Sequence, residues 1–230
     1  MDTKTSGNTG ISYEWIALSV TTIGALMAAI DGSAVLIALP TIMATLQASF
    51  ITVMWVLLGY MLILAAVVPV VGRLADMLGR KNLYNLGFVV FTVGSLLCAL
   101  AQPQYHGLDL VVYRMVQAVG GALLITNSAA IVTDAFRRGN VGLGLGVNGI
   151  AFSAGFLLGP VVGGVLTAIS WRLVFLINVP IGIVGTIWGI LQLREPVTLP
   201  TGQHFDWAGS LTFTLGLGHS FSACRFMPFP

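Results

Sequence analysis

The feature that most limits the folds open to this chain is a series of apolar runs, each about 20 residues long and separated by short polar breaks. An α-helix of about that length crosses the hydrocarbon core of a bilayer. The runs lie near residues 15–39, 51–71, 83–101, 109–134, 141–168 and 172–193. They predict an all-α integral membrane protein with a six-helix transmembrane bundle over residues 15–193.

Charged residues are scarce, since Asp, Glu, Lys and Arg make up 8% of the 230 residues, whereas a soluble domain carries about 25%. A chain this poor in charge cannot cover a water-facing surface. The net charge of +2 is too small to indicate nucleic-acid binding. The sequence contains no Ser/His/Asp arrangement, no metal-ligand spacing and no phosphate-binding loop. The chain is therefore predicted not to be an enzyme and to need no metal or cofactor.

Lysine and arginine fall mainly on one side of the predicted spans. If the N-terminal side is taken as inside, the only outer break with a basic residue holds Arg172. The inner segments hold Lys4, Arg73, Arg80, Lys81, Arg137, Arg138 and Arg194. Short loops rich in Lys and Arg stay in the cytoplasm. The bias predicts a multi-pass protein of the bacterial inner membrane, with residues 1–14 as its cytoplasmic N-terminus.

A short loop is predicted between the second and third spans, with the sequence Gly72-Arg-Leu-Ala-Asp-Met-Leu-Gly-Arg-Lys81. Gly72 and Gly79 allow close backbone approach and a turn with positive φ. Arg80 and Lys81 favour a cytoplasmic position for the loop. Asp76 stands among these bases and can pair with one of them or face a nearby helix N-terminus.

The fourth span contains Arg114, followed three residues later by Gln117 on the same helix face. An arginine within a membrane helix is costly, so it is a functional hypothesis by default. The alternative is that Arg114 lies near the outer interface and extends its charge to water.

The first span carries Asp31 near its middle. An ionisable residue at that depth is rare and marks ion or substrate pathways. Such a carboxylate can bind and release a proton, or it can pair with a cationic substrate. The alternative is a structural role, in which Asp31 is the partner of a polar group on a neighbouring helix.

The fifth span is rich in glycine. Gly155 and Gly159 form a small-x-x-x-small pattern that allows two membrane helices to cross closely. Pro160 removes one backbone hydrogen bond and can kink the helix. Gly163 and Gly164 continue the thin face. Ordinary helix packing explains the pattern equally well from the residues alone.

These segments resemble signatures of the major facilitator superfamily. The predicted loop matches the superfamily pattern G-x-L-x-D-x-x-G-R-K between helices two and three. The fourth span resembles R-x-x-Q-G-x-G, with Ala118 in place of the first glycine. The fifth is similar to the antiporter signature G-x-x-x-G-P-x-x-G-G, which marks proton-driven exporters. The first resembles D-x-x-x-V-x-x-A-L-P, a motif of the fourteen-helix drug:proton antiporter branch. Residues 171–182 and 205–209 resemble the starts of helices six and seven in that branch.

The resemblance implies the N-terminal six-helix bundle of a major facilitator fold, in a multidrug efflux permease powered by the proton gradient. It assigns proton and substrate coupling to Asp31, Arg114 and Gln117. It assigns conformational gating to the loop between spans two and three, in a charge cluster with Asp134. A solvated charge at the helix end is the alternative for Asp134. The glycine–proline segment of span five is the implied hinge and seal.

The implied partners are the lipid bilayer, protons and a drug-like small molecule, and a periplasmic adaptor is a candidate partner of a full-length homologue. One alternative is a superfamily transporter for a specific metabolite or siderophore. A second alternative is a non-functional truncated fragment.

The pattern changes after the sixth span. Residues 194–206 are polar and predict a cytoplasmic linker, and residues 207–218 predict the start of an incomplete seventh helix. Residues 219–230 break the apolar pattern and resemble nothing in the family. The chain is therefore expected to be a truncated or frameshifted product that covers the N-terminal half of a family member.

Overall fold

The computed structural model describes residues 12–137 and 139–194. Apart from Arg194, the predicted linker, seventh helix and tail lie outside the described residues. The helices are α1 (Tyr13–Leu46), α2 (Phe50–Leu78), α3 (Arg80–Ala99), α4 (Leu108–Ala135), α5 (Val141–Ile169), α6 (Arg172–Leu176) and α7 (Asn178–Gln192). A 3₁₀ turn, Pro103–Tyr105, precedes α4.

Six helical segments in the described part of the chain are long and apolar enough to cross a membrane. Helices α1 to α5 each provide one, and α6 and α7 together form the sixth, Arg172–Gln192. The predicted all-α architecture with six spans is therefore confirmed. The first span is longer than predicted because α1 continues through Pro40 to Leu46. Neighbouring helices can satisfy the backbone groups that such a proline releases.

The connection between α2 and α3 is shorter than the sequence predicts. Helix α2 includes Gly72 and ends at Leu78, and α3 begins at Arg80. Only Gly79 lies between them, with φ of 95°, a conformation that glycine adopts without steric cost. The prediction of a ten-residue loop is therefore wrong, because helix α2 extends past its apolar stretch to Leu78.

The sixth span is interrupted near its N-terminal end. Helix α6 ends at Leu176 and α7 begins at Asn178. Pro180 lies four residues after Leu176 and has no N–H, so it cannot donate the usual helical bond to the Leu176 carbonyl. The break puts Asn178 at the first position of α7, inside the bundle.

Helix α1 lies at the centre of the bundle. Its most extensive partner is α5, and it also packs against α4 and α7. Helix α4 packs in turn on α3 and α2, and α3 packs on α7. Large apolar side chains on α2 and α5, such as Ile51 and Leu157, stay exposed. An outward apolar surface is what a hydrocarbon solvent requires.

Candidate functional site

The site is built around Asp31, whose side chain is fully buried in α1. Three described side chains donate hydrogen bonds to its carboxylate. The Arg114 Nη1 group lies 2.6 Å from Oδ2. On Oδ1, the Gln117 Nε2 group lies 3.0 Å away and the Asn178 Nδ2 group 2.8 Å away. The structure therefore brings together the three residues that the sequence assigned to coupling.

Arg114 is buried inside the bundle, with 1% of its side chain exposed. Its Nη1 group also donates to Gln117 Oε1. The guanidinium carbon lies 4.1 Å from the ring centroid of Tyr60 and 5.8 Å from that of Phe175, and such aromatic faces attract a cation. The alternative in which Arg114 extends its charge to water at the outer interface does not hold, because its charge pairs with Asp31.

Close contact between α3 and α4 fixes Gln117. A Cβ atom on Gly94 of α3 would lie 2.7 Å from Gln117 Cα, so only glycine fits there. A Cβ on Gly120 would likewise meet the backbone of Phe91. This approach lets Gln117 Nε2 donate to Ser95 Oγ at 2.6 Å as well as to Asp31. Ser95 donates onward to the Phe91 carbonyl, so the amide is held from two sides.

The glycines of α5 divide between two faces. Gly155, Gly159 and Gly163 contact helix α1, and they follow one another at four-residue intervals. A Cβ on Gly159 would collide with Ser33 Oγ and lie 2.9 Å from the Ile30 carbonyl oxygen. The α5 stripe therefore packs directly beside Asp31, against the residues that flank it on α1.

Pro160 and Gly164 lie on another face of α5. Pro160 is exposed. No atom of the described chain lies within 4 Å of a Cβ built on Gly164, apart from its own helix backbone and chain neighbours. Three of the five residues predicted for the antiporter motif thus form the crossing with α1, and these two do not.

A second charge cluster joins the ends of α2, α3 and α4. Arg80 bonds Asp76 at 3.0 Å and Asp134 at 2.6 Å, and Arg137 bonds Asp134 at 3.1 Å. Asp134 is only 6% exposed, so it is a paired charge and not a solvated one. Lys81 lies beside Arg80 and lines a small cavity with Asp134.

A sequence profile described as "Major Facilitator Superfamily" matches residues 21–223. The chain belongs to that superfamily. It is 37% identical over 204 residues to "Riboflavin transporter RibZ" of Clostridioides difficile, an alignment that covers 88% of this chain and 44% of RibZ. It is 34% identical over 218 residues to "Multidrug resistance protein 3" of Bacillus subtilis, with 94% of this chain and 41% of the relative covered.

The solved structures agree with this assignment at the level of the fold. The inward-facing, unoccupied crystal structure of a bacterial homolog of the human lysosomal transporter Spinster matches with a TM-score of 0.69 at 20% identity. The match covers 93% of this facilitator-superfamily chain and 50% of the Spinster homolog. This chain thus spans less than half the length of the two named relatives and half that of the Spinster homolog. Its family is one of transporters and not of enzymes.

Three site residues of this superfamily member were missed by sequence reasoning: Asn178, Ser95 and Tyr60. All are uncharged, and in an apolar run they cost much less than Asp or Arg, so they do not stand out. The available clue was Asn178, the only amide between Trp171 and Gly182, in a string already found similar to the family's sixth helix.

Single substitutions in the second charge cluster are expected to lower the free energy of unfolding little at its exposed members and more at Asp134. Arg137→Gln should change the free energy of unfolding by less than about 0.5 kcal/mol, because its side chain is 71% exposed and screened by water. Asp134→Asn should cost about 1 kcal/mol or more, since two arginines lose a shielded partner. Denaturation of the purified chain in mixed micelles at low and high salt measures both. Equal losses for the two variants would contradict this account of the cluster.

Proposed function

We propose that the chain forms the six-helix N-terminal half of a proton-coupled exporter of amphipathic or cationic compounds, oriented with its N-terminus in the cytoplasm of a bacterial inner membrane. The observation that carries the proposal is the Asp31 carboxylate, fully buried and paired with Arg114. A buried ion pair in a membrane bundle is costly and marks ion or substrate pathways. The Lys and Arg bias of the sequence supports the orientation.

Exchange follows from what a single carboxylate can bind. Asp31 binds either a proton or the positive group of a substrate, because each neutralises the same charge. Substrate arrival therefore favours proton release, and proton arrival favours substrate release. When neither is bound, Arg114 pairs with the carboxylate through the contact at 2.6 Å. The two binding events become linked without any cofactor.

Movement is assigned to two features, the Arg80 cluster at the helix ends and the glycine contact beside Asp31. Transporters of this architecture rock two halves around a site near the midplane. The Arg80 cluster ties the ends of three helices on the N-terminal side and is a suitable latch for one state. The glycines of α5 pack against the α1 residues that flank Asp31, and this contact is a suitable hinge and seal.

A transporter for one specific metabolite is the second candidate. The observation that favours it is the 37% identity to a protein named as a riboflavin transporter. A competition panel separates the candidates, since inhibition of transport by many unrelated cations supports drug efflux and inhibition by one compound class supports a metabolite carrier.

The decisive variant is Asp31→Asn, tested in a chimera that joins this chain to the second half of the Bacillus subtilis multidrug resistance protein 3. In inside-out vesicles with an imposed pH gradient, the chimera should accumulate tetraphenylphosphonium. Asp31→Asn should reduce this accumulation to background, because an amide neither binds a proton nor pairs with a cation.

Asp109→Asn is the matched control, since it makes the same chemical change at the outer end of α4, where Asp109 accepts from the Gln102 and Leu110 backbones. It should retain accumulation. Normal gradient-driven accumulation by Asp31→Asn would refute the role of Asp31, and accumulation by this chain alone would refute the need for a second half.

A further inference from the structure

Asn178 connects the sixth span to the buried carboxylate. It is fully buried at the start of α7, and its Nδ2 group donates to Asp31 Oδ1 at 2.8 Å. No hydrogen-bond partner for its Oδ1 atom exists among the described residues, although that atom is buried too. A buried amide oxygen with no partner is costly, so the arrangement calls for an explanation.

The explanation lies in what a protonated Asp31 would need. All three groups that contact the carboxylate in this structure are N–H donors, which suits the ionised form. A neutral carboxylic acid has an O–H to donate and needs an acceptor instead. Gln117 Oε1 already accepts from Arg114 and lies 3.9 Å from the Cys98 sulfur.

Asn178 Oδ1 is the acceptor left over. A half-turn of the side-chain amide exchanges the positions of Nδ2 and Oδ1, because the two ends of an amide are nearly equal in size. Asn178 can therefore donate to the ionised carboxylate in one orientation and accept from the neutral acid in the other. The titratable or charged groups that face Asp31 from the other helices are Tyr60 on α2, Cys98 on α3 and Arg114 on α4.

We propose that Asn178 is a positioning residue that transmits the protonation state of Asp31 to the sixth span by reversing its side-chain amide. The inference rests on the proposed function, because it assumes that Asp31 binds a proton. Asn178 lies directly after the junction between α6 and α7, so a change at its side chain acts on the sixth span at that junction. Proton binding on α1 is thereby coupled to α7 as well as to Arg114 on α4.

Infrared difference spectroscopy on the purified 230-residue chain in lipid nanodiscs tests the proposal. The chain is labelled with ¹³C at the side-chain amide of asparagine, and spectra at neutral and acidic pH are subtracted. Among the carboxylic-acid bands that arise on acidification, the one from Asp31 should be missing in Asp31→Asn. A labelled amide band should shift on the same acidification, and the shift should vanish in Asp31→Asn.

Two variants assign the amide band independently. Asn178→Gln keeps an amide but carries no label, and Asn178→Ser keeps a small donor and acceptor without an amide. The shifted band should be missing from both. A carboxylic-acid band from Asp31 with no accompanying amide shift overturns the role of Asn178 and leaves the proposed function standing. Absence of any carboxylic-acid band that depends on Asp31 overturns both.

Discussion

Arg114→Met is expected to lower the free energy of unfolding by about 3–5 kcal/mol, because it leaves the Asp31 carboxylate buried without its counter-charge. The size of the effect follows from complete burial, since neither side chain has water to replace the lost partner. Unfolding of the purified chain in mixed micelles of increasing SDS content, followed by circular dichroism, gives the difference from wild type.

The double variant with Asp31→Asn separates lost charge pairing from lost packing. Methionine is apolar and fills much of the arginine volume, and the asparagine at position 31 carries no charge. Replacing both members of a buried ion pair is far less costly than removing one. The double variant should therefore be more stable than Arg114→Met alone. A double variant less stable than Arg114→Met would show that the ion pair is not the reason for the loss.

Gly159→Leu is expected to disrupt the packing of α1 on α5. Even a Cβ atom there collides with Ser33 Oγ and lies 2.9 Å from the Ile30 carbonyl oxygen, which cannot rotate away. Overpacking of a well-packed contact costs about 1–3 kcal/mol, and a whole leucine side chain belongs at or above the upper end. The same SDS unfolding measurement applies, together with disulfide cross-linking between cysteines introduced on α1 and α5.

Gly164→Leu is the matched control on the same helix. A Cβ at Gly164 meets nothing among the described residues, and leucine is a good helix former whereas glycine costs roughly 0.8–1.0 kcal/mol relative to alanine. The control should leave stability unchanged or raise it, while Gly159→Leu lowers it. Similar losses for both variants would contradict the assignment of Gly159 to the α1 contact.

The spans were predictable because hydrocarbon imposes one length and one composition on them. The ends of the helices were less predictable. An apolar run marks the part of a helix that lies in hydrocarbon, but α1 continues seven residues beyond the predicted limit at residue 39, through Pro40 to Leu46. Helix α2 likewise passes its apolar stretch and reaches Leu78. Hydropathy carries no information about where a helix stops outside the bilayer.

The charged members of the candidate site were predictable from their cost inside a span, and Gln117 from its motif and its spacing after Arg114. Asp31 and Arg114 stand out because ions inside a span are costly. Sequence spacing does not show, however, that these two residues, 83 positions apart, lie 2.6 Å from each other. Asn178 was missed because an amide is inconspicuous and its role depends on how α7 crosses α1. The division of the α5 glycines was open to prediction, since residues at four-residue intervals share a helix face and Gly164 falls outside that series.

The claim that Asp31 exchanges a proton for a cationic substrate is tested most directly by counting protons. Tetraphenylphosphonium is added to the purified chimera in weakly buffered detergent solution at a series of pH values, and a pH indicator follows the release. We expect protons to be released by the wild-type chimera and by Asp109→Asn, and none to be released by Asp31→Asn. Equal release from wild type and Asp31→Asn would contradict the account.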